Sequence, residues 1–127
     1  MGQKYLIDTN PVIDFFNRRL PVKGEVFMKT IEPEISVITQ IELLSNKNIP
    51  LEEWEQIQGF ISVASVYALE NNIVQQTILL RQKYKIKTPD AIIAATALVY
   101  NLILISRNIT DFKDISRLKL VDPYNLQ

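Results

Sequence analysis

The chain has 127 residues, 47% of them hydrophobic and 22% charged, with 14 basic residues balanced by 14 acidic ones. That length supplies one substantial core, and the balance leaves no whole-chain field to attract nucleic acid, so any such role needs a local basic patch. There is no cysteine and no histidine. Disulfides and thiolate or imidazole metal sites are thereby excluded, and a metal site would be built from oxygens, which favours Mg²⁺ or Mn²⁺.

No segment approaches the roughly 20 apolar residues of a membrane span. The N-terminal residues lack the apolar run of a secretory signal, and Leu6 stands where a myristoylation pattern needs Ser or Thr. A cytoplasmic protein made of a single domain, residues 1–127, is expected.

Tyr5-Leu6-Ile7 is a short apolar run ending at Asp8 and reads as a buried strand. Asn10 is expected to cap the next helix, with Pro11 at its first position, and that helix stops near Pro21. Residues 23–31 suggest a second short helix. Ile35 to Ile38 reads as a second strand, and Thr39 begins a helix that runs to about Ser45. After a turn at 46–50, Leu51, Trp54, Ile57 and Ile61 give 51–61 one apolar face. Ser62 to Tyr67 fits a third strand.

From Glu70 to Tyr84 the pattern is helical, with Ile73, Thr77, Leu80 and Tyr84 on one face. Thr88-Pro89-Asp90 starts a helix that is apolar almost all round, hence buried, and Asn101 can close it in the left-handed conformation. Leu102 to Ser106 is a fourth strand, and Leu118 to Val121 a short fifth one. Strands alternating with helices imply a mostly parallel sheet of four to five strands between two helical layers.

In open α/β sheets, sites form outside the carboxyl ends of the strands. Asp8 follows the first strand, Glu42 lies one turn into the helix after the second, Asp90 opens the buried helix, and Asp111 follows the fourth strand. Each also fits a purely local role. Asp8 can support the turn into its helix. Thr39-Gln40-Ile41-Glu42 reads as a capping box. Asp90 suits any first helical turn, and Asn108 to Asp111 can cap a short one. Together they point to a cation, because clustered carboxylates repel unless one sits among them.

YLIDTN, SVITQIELL, TPDAIIAATAL and LILISRNITDF resemble, in this order, the signatures of PIN-domain nucleases, and within them the VapC-type toxins of bacterial toxin–antitoxin pairs. The resemblance covers nearly the whole chain. It implies a three-layer α/β/α PIN-like fold and metal-dependent hydrolysis of RNA, with an antitoxin partner and a homodimer. It matches the family's first three acids to Asp8, Glu42 and Asp90. Some relatives carry a fourth acid where Asn108 stands, and here Asp111 is the only carboxylate in that segment. Thr9 and Asn10 complete the first motif, while Arg107 and Asn108 would orient the fourth ligand or touch phosphate.

The basic residues available for an RNA backbone are Arg81, Lys83, Lys85 and Lys87, directly before Asp90, and Arg18 and Arg19 after the first helix. The same residues also suit helix ends and solvent. Phe27, Met28 and Trp54 read mainly as core. Two competing functions fit parts of the pattern. A phosphatase of the haloacid-dehalogenase type also places Asp after its first strand, but Asn10 stands where that chemistry needs a second acid. A non-catalytic binding module would need none of the four acids.

Overall fold

The computed structural model describes residues 2–126. Five short strands, β1 (Tyr5–Ile7), β2 (Glu34–Ser36), β3 (Ser65–Tyr67), β4 (Ile103–Ile105) and β5 (Leu120–Val121), all pair in parallel. β1, β4 and β5 form one hydrogen-bonded sheet and β2 and β3 another. β1 and β2 lie side by side, so the strands line up in the order β3, β2, β1, β4, β5.

β1, β4 and β5 are apolar throughout, as strands covered on both faces are, whereas β2 carries Glu34 and Ser36 and the edge strand β3 is partly exposed. Leu6 and Leu104 enter one core and Ile7, Ile35 and Ile105 the other, as the two-residue repeat of a strand requires. Helices α1 (Thr9–Phe16), α2 (Val22–Thr30), α3 (Val37–Ser45) and α4 (Leu51–Val63) supply the Ile7 side. Helices α5 (Asn71–Lys83) and α6 (Thr88–Tyr100) supply the other, with the four-residue α7 (Ile109–Phe112). This is the expected α/β/α sandwich. Among the described residues no helix is long and apolar enough to cross a membrane.

Several boundaries differ from expectation, each for a local reason. Asp8, not Asn10, caps α1, its side chain accepting from the Thr9 amide. Pro11 still fits in the first turn, where amides have no intrahelical partner. The helix ends at Phe16, earlier than expected, and Arg18 turns left-handed at φ 61°. Ser36, not Thr39, caps α3, so Val37 and Ile38 leave the strand for the helix. α4 runs on to Val63 and shortens β3, and Leu51 at its start is exposed. Met28 is buried, and Phe27 packs edge-on against Tyr5 with ring centroids 5.3 Å apart, as core residues should.

α5 and α6 match closely. Ile73, Thr77 and Leu80 are buried along one stripe, and Asn101 closes α6 at φ 55°. α6 is long enough to run from one edge of the sheet to the other. Its N-terminus, with Asp90, stands at the carboxyl edge, and its C-terminus stands about 20 Å away.

Candidate active site

The strand order reverses between β1 and β4, the topological switch point where α/β sheets open a crevice. Asp8 leaves β1 there, its amide donating to the Ile105 carbonyl at 2.9 Å. Only 5% of the residue is exposed. Its Oδ1 accepts from the Thr9 amide at 2.8 Å and its Oδ2 from the Ser106 hydroxyl at 2.8 Å. Burial raises its pKa above the usual carboxyl value, against the lowering effect of those two hydrogen bonds. The cap and the site are therefore one carboxylate, because each of its oxygens keeps a second lone pair.

Glu42 cannot belong to a capping box, since α3 begins two residues before Thr39. Its Oε1 instead accepts from the Thr9 hydroxyl at 2.5 Å. Thr39 is fully buried with its hydroxyl oxygen 3.2 Å from that of Thr9. The single Thr9 proton goes to the carboxylate, which can only accept. Thr9 thus holds Glu42 beside Asp8.

Asp90 stands in the first turn of α6, half-buried. Its pKa is pushed up to about 6, first by burial and then by the charges of Asp8, Asp111 and Glu42, with only Lys87 opposing. No hydrogen bond to its carboxylate occurs among the described residues. Asp111 is exposed on α7, and Asn108 orients it, Nδ2 donating to Oδ2 at 2.7 Å. The Asn108 amide in turn donates to the Ser106 hydroxyl at 2.9 Å. Asn10 lies in the first turn of α1, half-buried.

The four predicted acids therefore gather at one edge. Among the described residues, no group of three or more acids is placed to hold a metal ion. A hydrated Mg²⁺ or Mn²⁺ does not need one, since it keeps several waters and takes one or two direct carboxylates. A half-buried acid with no hydrogen-bond donor and three like-charged neighbours fits the same all-oxygen site.

The basic residues divide. Lys85 and Lys87 line a cleft with Arg81, Tyr84 and Asp111, next to the acids. Arg81 is partly committed to structure, its Nε donating to the Ile86 carbonyl at 3.1 Å. Lys83 lies over the Tyr84 ring and lines a different cleft. Arg18 and Arg19 follow the far end of α1, about two helical turns from Asp8. The structure does not bring them to the acids. Arg107 pairs with Asp14 at 3.3 Å.

Sequence reasoning missed Ser106, Asp14 and Tyr124. Ser106 joins Asp8 to Asn108. Asp14, buried on α1, accepts from Arg107 and from the Tyr124 hydroxyl. An acid inside the apolar run VIDFF was the available signal for Asp14, because a buried charge needs partners. Ser106 had a weaker one, a polar residue closing an apolar strand.

Fold and site define the class, an α/β/α protein with an acidic switch-point crevice. The PIN domain family model matches residues 5–118. A chain of a toxin–antitoxin complex from Klebsiella pneumoniae superposes with a TM-score of 0.79 at 32% identity, over 97% of this chain and 100% of that one. VapBC2 from Rickettsia felis bound to a promoter DNA fragment gives 0.77 at 24% identity, over 94% and 98%. DNA-bound VapBC from Salmonella typhimurium gives 0.80 at 22% identity, over 96% and 99%. The last two share the fold. Among curated proteins there is no match. The chain belongs to the PIN-domain family, as expected from its sequence, and is similar over nearly its whole length to a chain of a toxin–antitoxin complex. PIN domains are nucleases, which sets aside the phosphatase alternative.

Proposed function

We propose that this protein is a metal-dependent endoribonuclease and the toxin of a VapBC-type pair. The observation that carries the chemistry is Asp90, a half-buried carboxylate raised to about 6 by burial and by Asp8, Asp111 and Glu42. A cation beside such a group would favour its ionised form by offsetting both the burial and the like charges.

Asp8 and Asp90 would hold Mg²⁺ or Mn²⁺ directly, Glu42 through water, and Asp111 with Asn108 would complete a weaker outer position. When bound, the cation neutralises the carboxylates and stabilises the charge that develops on a phosphoryl oxygen. Ser106 and the Thr9 amide fix both oxygens of Asp8. Thr9 holds Oε1 of Glu42, which leaves Oε2 to take the proton of the attacking water. Lys85 and Lys87 bring backbone phosphates to this edge, which the neutral total charge would not do.

The antitoxin partner rests on the toxin–antitoxin complexes that the chain resembles, and the homodimer on the family resemblance. A cytoplasmic, single-domain protein suits that role. Co-expression with the small protein of the adjacent reading frame should restore growth of cells that the chain alone arrests, and sedimentation of the purified protein should give a dimer.

The deciding experiment is cleavage of single-stranded RNA with Mg²⁺ or Mn²⁺, wild type against Asp8→Asn. Asn caps a helix as well as Asp does, so the variant should keep its circular dichroism spectrum and lose cleavage. Equal cleavage by the variant, or by the wild type in excess chelator, would overturn the reading.

A further inference from the structure

Three clefts with shared lining residues lie end to end along the seam between α5, the end of α6 and the 111–119 segment. The first holds Lys85, Lys87 and Asp111 at the acidic edge. The second shares Tyr84 with it and adds Lys83 and Arg117. The third shares Arg117 with the second, adds Lys119, and ends at Asn101, the last turn of α6. The path therefore starts at Lys87, just before α6, and ends at Asn101, just after it, points that this 13-residue helix sets about 20 Å apart. At 3.4 Å per stacked nucleotide that is room for roughly six nucleotides.

The chemistry along the path is consistent. Among the described residues, Asp111, at the first cleft, is the only acid that lines any of the three. The Tyr84 ring forms the wall between the first two clefts, with its hydroxyl accepting from the Ser116 amide at 3.0 Å. That bond fixes the 113–119 segment against α5. Arg117 is exposed in this segment at φ 69°, a conformation that Gly or Asn adopts more easily, yet the position carries a guanidinium. On this side of the sheet Asp114 and Glu70 stand outside the lining of the clefts, while Glu52, Glu53 and Glu55 stand on α4, on the other face.

We infer that this seam is a track for single-stranded RNA, in which Lys83, Arg117 and Lys119 hold the strand several nucleotides away from the bond that is cut. The inference rests on the ribonuclease reading and extends it to substrate class and footprint. Cations interleaved with Tyr84, Leu79 and Leu98 suit a strand that presents both phosphates and unpaired bases. A duplex offers its phosphates alone.

Binding in chelator, where cleavage is not being measured, tests the track apart from the catalytic reading. The probes are fluorescein-labelled unstructured RNAs of about 4 and about 12 nucleotides and a 12-base-pair duplex, followed by anisotropy against salt. Wild type should bind the longer strand at least tenfold more tightly than the shorter one or the duplex. Arg117→Ala with Lys119→Ala should weaken the longer strand about tenfold and lower its salt slope by about 1.4, since each of the two phosphate contacts on a single strand contributes about 0.7. Lys23→Ala with Lys29→Ala removes the same charge from α2 and should change neither. No RNA binding by wild type, equal binding of the duplex, or equal effects of the two double variants would overturn the track. The ribonuclease reading fails separately, by undiminished cleavage in Asp8→Asn.

Discussion

The Thr9 hydroxyl donates to Glu42 across 2.5 Å, tying the first turn of α1 to the exposed face of α3. That bond decides between two uses of Glu42. A capping glutamate would have turned back to the start of its own helix, but Ser36 already caps it, accepting from the Ile38 amide at 3.0 Å. Ser36→Ala should therefore cost about 1 kcal/mol of stability. Glu42→Gln should cost less than about 0.5 kcal/mol and reduce cleavage at least tenfold. Urea denaturation and initial cleavage rates measure the two, and a Glu42→Gln variant with wild-type cleavage would remove Glu42 from the catalytic set.

Asp90 gives a stability test with a definite sign. In metal-free buffer it titrates near 6 in the folded chain, against 3.8 for the free side chain. Between these values the folded state holds more protons than the unfolded one, so stability falls as pH rises from about 4 to 6 and then levels off. Asp8, also raised, acts in the same direction. Asp90→Asn should stabilise the metal-free protein at pH 7 by about 1 kcal/mol, a figure reduced to allow for solvent screening of a half-exposed group. Added Mn²⁺ should stabilise wild type and leave Asp90→Asn nearly unmoved. Thermal melts at pH 5 and 7 with chelator or Mn²⁺ check both statements.

Asp14 is the buried anchor of a second network, in which Arg107 and the Tyr124 hydroxyl share its Oδ2. Burial and this bond raise the pKa of Tyr124 well above the usual phenol value. Arg107→Ala and Tyr124→Phe should each cost about 1 to 2 kcal/mol, since each leaves a buried carboxylate with one partner fewer. Their combination should depart from additivity by more than about 0.5 kcal/mol, because both act through one oxygen. Strictly additive losses would mean that the two contacts are independent.

Gly24 sits where α2 passes the chain end. A Cβ there would collide with the backbone carbonyl oxygen of Pro123, which cannot swing aside as a side-chain tip can. Gly24→Ala should lower stability by about 2 kcal/mol. It should do so by lifting the 122–125 turn and with it Tyr124 from Asp14. Tyr124→Phe should then add little to Gly24→Ala, and denaturation of the double variant measures this.

The sequence was most legible where one local signal had no rival. The apolar stripe Ile73, Thr77, Leu80, the Thr88-Pro89-Asp90 start and the left-handed Asn101 all stand as expected. It was least legible where two residues competed for one local task. Thr39 and Ser36 are both good caps, and so are Asn10 and Asp8. The choice fell to packing, because Ile38 reaches the core shared with α6 and Thr39 is buried against Thr9. β-branched Val37 and Ile38 favour a strand in isolation, and tertiary contacts overrode that preference.

By itself, then, the sequence determined the layered fold and the four acids of the candidate site, because strand alternation and the carboxyl-edge rule depend on order along the chain. Tertiary structure alone decided the partners of those acids. Ser106 meets Asp8 and Thr9 meets Glu42 across 98 and 33 residues of chain, distances over which no local spacing carries information. It likewise sent Lys85 and Lys87 to the acidic edge and Lys83 to the next cleft, since Lys83 is the last residue of α5 while Lys85 and Lys87, two residues apart in the segment that follows, share one side.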